Sequence, residues 1–211
     1  MQTPFVYYAP AHDARAVTNR HHPCRCRKVP QSAACCPQPS NRIGVPVIVI
    51  VMGAVGVGKT TIASRLAAEL GWEFVDADDF HSPTSKAKIA AGIPLNDADR
   101  APWLDALHNE IQRWQTENRN ATLACSALKQ SYRDQLTKNS AKETKPVQFV
   151  YLKASAEVIQ HRLTERHGHF ANETLLPSQL ETIEEPTNAI TINAANSPEE
   201  IVRQIRNQLN L

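Results

Sequence analysis

Apolar residues along the chain gather into five short runs, and the stretches between them carry a helical repeat. The runs are 45–52 (VPVIVIVM), 73–78 (EFVDAD), 121–126 (ATLACS), 147–152 (VQFVYL) and 189–193 (AITIN). Each is four to eight residues long, the length of a strand rather than a helix. Helical spacing predicts helices over 59–70, 101–118, 129–138, 155–166 and 198–210. Strands alternating with helices imply βαβ units, so the expected fold is α/β: a five-stranded parallel sheet flanked by helices on both faces. Right-handed crossovers bring the loops that follow the strands to the carboxyl edge of the sheet, where ligands bind. The alternation fails over 79–100 and 167–186, both polar and irregular. Long insertions of this kind in a small domain are read as a substrate arm and a lid.

The junction of the first strand and first helix carries the chemistry. Gly53-Ala54-Val55-Gly56-Val57-Gly58-Lys59-Thr60 is a complete G-x-x-x-x-G-K-[ST] phosphate loop, preceded by the apolar run and followed by Thr61–Leu70. In that setting the glycines let successive N–H groups turn toward phosphate oxygens, and the helix start adds partial positive charge. All eight residues are therefore candidates for binding ATP. Lys59 is expected to reach the β- and γ-phosphates, and the Thr60 hydroxyl to ligate Mg²⁺. The domain is expected to be a P-loop NTPase.

Charge and cysteine usage divide the chain. Residues 1–44 hold six cations against Asp13 alone, a net +5, so from a total of +2 the remainder carries −3. A mildly acidic body argues against a nucleic-acid partner, whose electrostatic footprint is broad. No apolar run approaches the roughly 20 residues of a membrane helix. Four of the five cysteines (Cys24, Cys26, Cys35, Cys36) lie in the leader, and Cys125 alone in the body, as expected of a reduced, cytoplasmic protein. The leader is rich in Pro, Arg, His and Cys without periodicity, and is expected to be disordered and outside the fold of 45–211. A metal site would need better cysteine spacing. A targeting presequence fits the basic balance but not the prolines. The favoured reading is a non-functional extension, upstream sequence joined by a wrongly assigned start.

Beyond the loop, Asp76 and Asp78 end the second strand and, alternating, would face the phosphate loop together. One is expected to help hold hydrated Mg²⁺ and the other to take the proton of an attacking hydroxyl, with Asp76 favoured for the metal and Asp78 for the proton but the pattern alone leaving the two roles interchangeable; the plain alternative is a solvated strand end, or a helix cap by Asp79. Arg162 and Arg166 lie four apart on one helical face, before His167-Gly168-His169-Phe170. They are candidates for closing over a triphosphate, or for an ordinary solvated face. Cys125 reads as a buried small residue, and Trp103 and Trp114 as packing.

Together these pieces resemble the gluconate kinase family of small P-loop sugar-acid kinases. The resemblance rests on Asp76-Ala77-Asp78-Asp79-Phe80-His81; on Lys88, Gly92, Pro94-Leu95, Asp97, Asp99-Arg100 and Pro102-Trp103-Leu104; on Cys125-Ser126-Ala127-Leu128-Lys129 with Tyr132-Arg133-Asp134; and on Arg166, His169-Phe170, Leu175-Leu176, Ser178-Gln179 and Glu185-Pro186. It covers about residues 46–210. It implies a nucleoside-monophosphate-kinase-like fold, ATP and Mg²⁺ as cofactors, phosphorylation of D-gluconate to 6-phosphogluconate, and a homodimer. Lys59, Asp78 and Arg166 are then the expected catalytic residues. A sugar acid needs a cation for its carboxylate, from Lys88, Arg100 or Arg133, and polar partners for its hydroxyls, from His81, Asp78 or Asp99. The sequence departs from the family pattern at Ser82, Ser85, Ile89 and Ala171-Asn172, in the arm and lid. Other readings are a different small-molecule kinase, such as one acting on shikimate or a nucleoside monophosphate, and a nucleotide-binding module without catalysis.

Overall fold

Five parallel strands form one sheet in the order β2-β3-β1-β4-β5: β1 is Ile48–Met52, β2 Glu73–Asp76, β3 Ala121–Ala124, β4 Val147–Lys153 and β5 Ile190–Asn193. The computed structural model describes residues 46–138, 147–165 and 175–211. The expected leader (1–44), Arg166 and the first part of the expected lid (through Thr174) lie outside the described residues. β1 is central, with Ile48–Met52 opposite Val147–Tyr151 on one side and Ile48–Val51 opposite Ala121–Ala124 on the other. Such a strand has both faces covered, so every residue of β1 is buried and the run reads as continuous rather than alternating.

Helices cover both faces. On one, α1 (Lys59–Leu70) and α7 (Pro198–Leu209) pack against Val49, Val51, Val150 and Ile192. Ile62, Ala63, Leu66 and Ala67 are the buried stripe of α1, each large side chain contributing about 1.5–3 kcal/mol by leaving water. On the other face, α3 (Asp97–Thr116) lays Leu104, Leu107, Ile111 and Trp114 over Ile48, Ile50, Met52 and Leu123, with Tyr132 and Leu136 of α4 (Gln130–Leu136) beside them. The remaining helices are α2 (Pro83–Ala90), α5 (Ala156–Thr164) and α6 (Leu176–Thr182). Among the described residues no helix is long and apolar enough to cross a membrane.

α2 and α6 form within the segments read as irregular, and two further local structures differ from the sequence expectation, each through a polar side chain that redirects the backbone. The second strand stops at Asp76, whose carboxylate accepts from the Asp78 N–H at 3.0 Å and starts a 3-10 turn over Ala77–Phe80. Asp78 therefore does not share a strand face with Asp76; it projects from the turn. The third helix begins four residues earlier than its apolar repeat, because Asn96 and Asp99 form a capping box: Asn96 Oδ1 accepts from Asp99 N–H, and Asp99 Oδ2 from Asn96 N–H. The expected arm is thus α2, a connecting loop and the first turn of α3.

Candidate active site

The phosphate loop joins β1 to α1 as a tight turn. Gly53, Gly56 and Gly58 all have positive φ, and two of them are also enclosed. A Cβ on Gly53 would stand 2.7 Å from the Leu152 carbonyl oxygen, and one on Gly56 2.7 Å from Leu163 Cγ. Ala54, Val55 and Val57 are buried, so the loop is anchored from below by packing. Lys59 donates across the loop to the Ala54 carbonyl at 3.0 Å. The Thr60 hydroxyl donates to Asp76 Oδ2 at 2.7 Å, which brings together the two expected metal partners. A hydroxyl and a carboxylate are hard oxygen donors, suited to Mg²⁺ shared with phosphate. Among the described residues no cluster of three His, Cys, Asp or Glu side chains is placed to hold a metal by itself.

Above the loop opens a cleft of about 90 Å³, lined by Lys59 and Asp78, by His81, Arg100 and Trp103, and by Ser178 and Gln179. Its floor is the 3-10 turn, fixed by Trp103, whose indole N–H donates to the Ala77 carbonyl at 2.7 Å. The His81 ring stacks on Trp103 with centroids 4.6 Å apart. Burial, then the charges of Arg100 and Lys86, lower the His81 pKa to about 4, so the ring is neutral. His81 Nδ1 is buried without a hydrogen-bond partner among the described residues. Asp78 opens into the cleft with its side chain 76% exposed, yet the surrounding walls thin its hydration and raise its pKa above 3.8. Lys59 opposes that shift, and Asp76 and Asp79 reinforce it.

A second recess of about 320 Å³ continues past Arg100. Arg100, Pro94, Leu95, Ser178 and Gln179 line both cavities. Asp97 accepts from the Tyr132 hydroxyl and from Lys129, whose ammonium lies 3.0 Å from Oδ1. Arg100 lies 3.9 Å from Asp97 Oδ1 and 5.6 Å above the Tyr132 ring. These partners, Tyr132 first, hold the Asp97 carboxyl below its ordinary pKa.

Several expected residues are placed differently. Arg133 does not reach the cleft. It is 3% exposed, and its guanidinium donates to the carbonyls of Ala127, Leu128 and Glu184 and to Gln130 Oε1. All its donor positions are used in clamping the turn after β3 to the loop that leads from α6 into β5. Lys88 pairs with Asp99 at 2.7 Å, and neither lines the two cavities; Asp99 is further held by its capping role. Arg162 lies behind the loop, donating to the carbonyls of Val57 at 3.3 Å and Ala194 at 2.7 Å. Cys125 is fully buried and its thiol pushed up to about 12, as expected of an inert small residue. Lys129 and Gln179, by contrast, reach the cavities. Their only sequence signal was membership of the C-S-A-L-K and S-Q motifs, with no pattern assigning them a role.

A family profile described as an AAA domain matches residues 48–186. The gluconokinase of Gluconobacter oxydans is 40% identical over 163 residues, spanning 76% of this chain and 89% of its own length. The chain belongs to the gluconokinase family. Among solved structures, an unliganded sugar kinase from Janibacter sp. HTCC2649 superimposes with a TM-score of 0.71 at 41% identity, over 78% of this chain and 95% of its own. A gluconokinase from Sinorhizobium meliloti 1021 does so with a TM-score of 0.67 at 33% identity, over 79% and 97%. The family profile thus spans the phosphate loop, the arm and α6 together.

Proposed function

We propose that the protein transfers the γ-phosphoryl group of ATP to D-gluconate, giving 6-phospho-D-gluconate and ADP. The observation that carries the reading is the line of side chains from Lys59 and Asp78, through Arg100, to Lys129. One end suits a reacting hydroxyl beside a phosphate loop, and the other suits a carboxylate held by cations. In this reading Asp78 orients the terminal hydroxyl and takes its proton as the oxygen–phosphorus bond forms. The bond from phosphorus to the bridging oxygen breaks and ADP leaves. Lys59 spreads its charge over the transferring group, and His81, neutral and stacked, meets a substrate hydroxyl with Nδ1. Thr60 and Asp76 would hold Mg²⁺, which supplies charge neutralisation for the phosphates when bound. Arg166, outside the described residues, keeps its expected role of closing on the phosphates. The chemistry belongs to the cytoplasm, and the buried, unpaired Cys125 fits a reducing compartment. Residues 1–44 are dispensable in this reading, so a chain beginning at Val45 keeps its stability and turnover.

The test is coupled ADP release over D-gluconate, shikimate, a nucleoside monophosphate and the neutral polyol D-glucitol. Gluconate is the expected acceptor. Lys129→Met and Arg100→Met should each raise KM for gluconate about tenfold or more, the worth of one charge-assisted contact. They should leave slow turnover of the polyol unchanged. Equal turnover of shikimate, or unaltered gluconate KM in both variants, overturns the assignment of the acid-binding end.

A further inference from the structure

The Val55 N–H belongs to the phosphate loop, but it donates to a side chain 124 residues away: Gln179 Oε1 accepts at 2.8 Å. The contact is built, not incidental. Leu176 of α6 packs with Ala54, Val55 and Ile159, and Leu180 and Leu163 lie against the same cluster. Gln179 is therefore held over the loop from both sides along its helix. Within α6 the Thr182 hydroxyl bonds the Ser178 carbonyl and the Ser178 hydroxyl that of Leu175, which further fixes the segment. Gln179 also lines both cavities, beside Lys59 and Asp78 in the first.

A carboxamide has one acceptor oxygen and an NH₂ donor on the same planar carbon. The oxygen is engaged by the loop, and among the described residues nothing accepts from the nitrogen. With the oxygen turned to the Val55 amide, the NH₂ turns away from the loop backbone and toward the cleft. The loop thus gives up one of its own amides to hold a longer side chain, which lines the cleft together with Lys59 and Asp78.

We propose that Gln179 is a further catalytic residue: its oxygen is anchored on the phosphate loop, and its NH₂ donates to the phosphoryl group in flight, opposite the Lys59 ammonium. A neutral donor there stabilises charge on an equatorial phosphoryl oxygen without competing with Lys59 for the ground-state triphosphate. The proposal rests on the phosphoryl-transfer reading above.

Two substitutions separate a donor from a brace. Gln179→Glu keeps an oxygen for the Val55 N–H but removes the donor and faces the phosphoryl group with a carboxylate. Gln179→Met keeps length and packing but removes both functions. Measured on the full chain, Gln179→Glu should lower kcat about 10²–10³-fold, as for loss of a transition-state donor. Gln179→Met, which removes the same donor without adding a charge, should lower it about 10²-fold, the low end of that range, with KM for gluconate and the ADP dissociation constant held within about threefold. Affinity for ADP with aluminium fluoride and gluconate, a mimic of the planar phosphoryl group, should fall in step with kcat. A Gln179→Glu enzyme within threefold of the parent kcat overturns the proposal, since a brace needs only the oxygen. So does a Gln179→Met enzyme whose ADP affinity falls as far as its kcat. Failure of the unaltered protein to phosphorylate gluconate would instead defeat the substrate reading and leave the aluminium fluoride comparison to be run with the acceptor it does use.

Discussion

The phosphate loop and the acceptor wall face each other across one cleft but are held by different forces. The loop is held by shape. Its apolar side chains are buried, and its enclosed glycines have no room for a methyl group. The wall is held by polar pairs at partly open positions: Lys129 and Tyr132 on Asp97, and Arg100 over Tyr132. Exposed pairs of this kind are individually worth little. The contrast is functional. The nucleotide donor presents the same triphosphate at every turnover, so the loop needs one rigid form. The acceptor is what distinguishes one kinase from another, and a wall of weak, exchangeable pairs can open to receive it.

The largest effect is expected at the point where the two regions meet. Lys59→Ala should lower kcat by about 10³-fold or more, the scale of other cations that neutralise a transferring phosphoryl group. The fold should stay intact, because the loop is anchored by the buried Ala54, Val55 and Val57 rather than by the Lys59 ammonium: circular dichroism and thermal unfolding should match the parent. Near-parental turnover in a folded Lys59→Ala protein would separate the loop from the chemistry altogether.

Asp78→Asn comes next. An amide can orient the acceptor hydroxyl but cannot take its proton, so kcat should fall about 10²-fold, the low end for general-base loss, while nucleotide affinity stays within a few-fold. The parent should also lose kcat/KM toward low pH with a midpoint above 3.8, since thinned hydration in the cleft, reinforced by Asp76 and Asp79, favours the protonated, inactive carboxyl. Collapse of nucleotide affinity with turnover intact would make Asp78 a nucleotide or metal partner and move the base to Asp76.

Backbone determinants were legible in the sequence, and side-chain destinations were not. The strands follow from apolar runs and the loop from glycine spacing, because both are set by local sterics. Asp78 was assigned to a strand face because a turn made by the Asp76 carboxylate leaves no mark in an apolar pattern. Arg133 was read as a substrate cation because an arginine near a site edge looks the same whether it meets a ligand or backbone carbonyls. Its actual partners include Glu184, 51 residues away. Gln179 was hidden for the same reason, its partner lying 124 residues back in the chain. Arg100, read as a substrate cation in the arm, instead lies in the first turn of the third helix and lines the cleft.

Arg133 sharpens the comparison from the structural side. Arg133→Met should destabilise the protein by about 2–4 kcal/mol, because the carbonyls of Ala127, Leu128 and Glu184 lose their donors in a buried setting. Its KM for gluconate should be unchanged below the lowered melting temperature. Thermal unfolding beside steady-state kinetics reads both. A raised KM with parental stability would return Arg133 to the acceptor wall.

The smallest effect tests whether the floor of the acceptor wall depends on a neutral imidazole. His81 titrates near 4 in the folded protein and near 6.5 in the unfolded chain. Between those values the unfolded chain binds the extra proton, so the His81 contribution is full above pH 6.5 and is lost as pH falls toward 4. Asp78 acts in the opposite sense, since its raised pKa favours proton uptake by the folded state. The parent alone therefore mixes the two, and the informative quantity is the difference between parent and His81→Gln. Glutamine keeps polar atoms beside Trp103 but takes up no proton. Urea unfolding at intervals from pH 7 to 4 should show the parent losing stability more steeply than His81→Gln within that window, with the two curves parallel above it. Parallel curves throughout would mean that His81 can charge where it stands, through movement of the ring off Trp103 or of Arg100 away from it. The stack would then be a hinge of the wall rather than its floor.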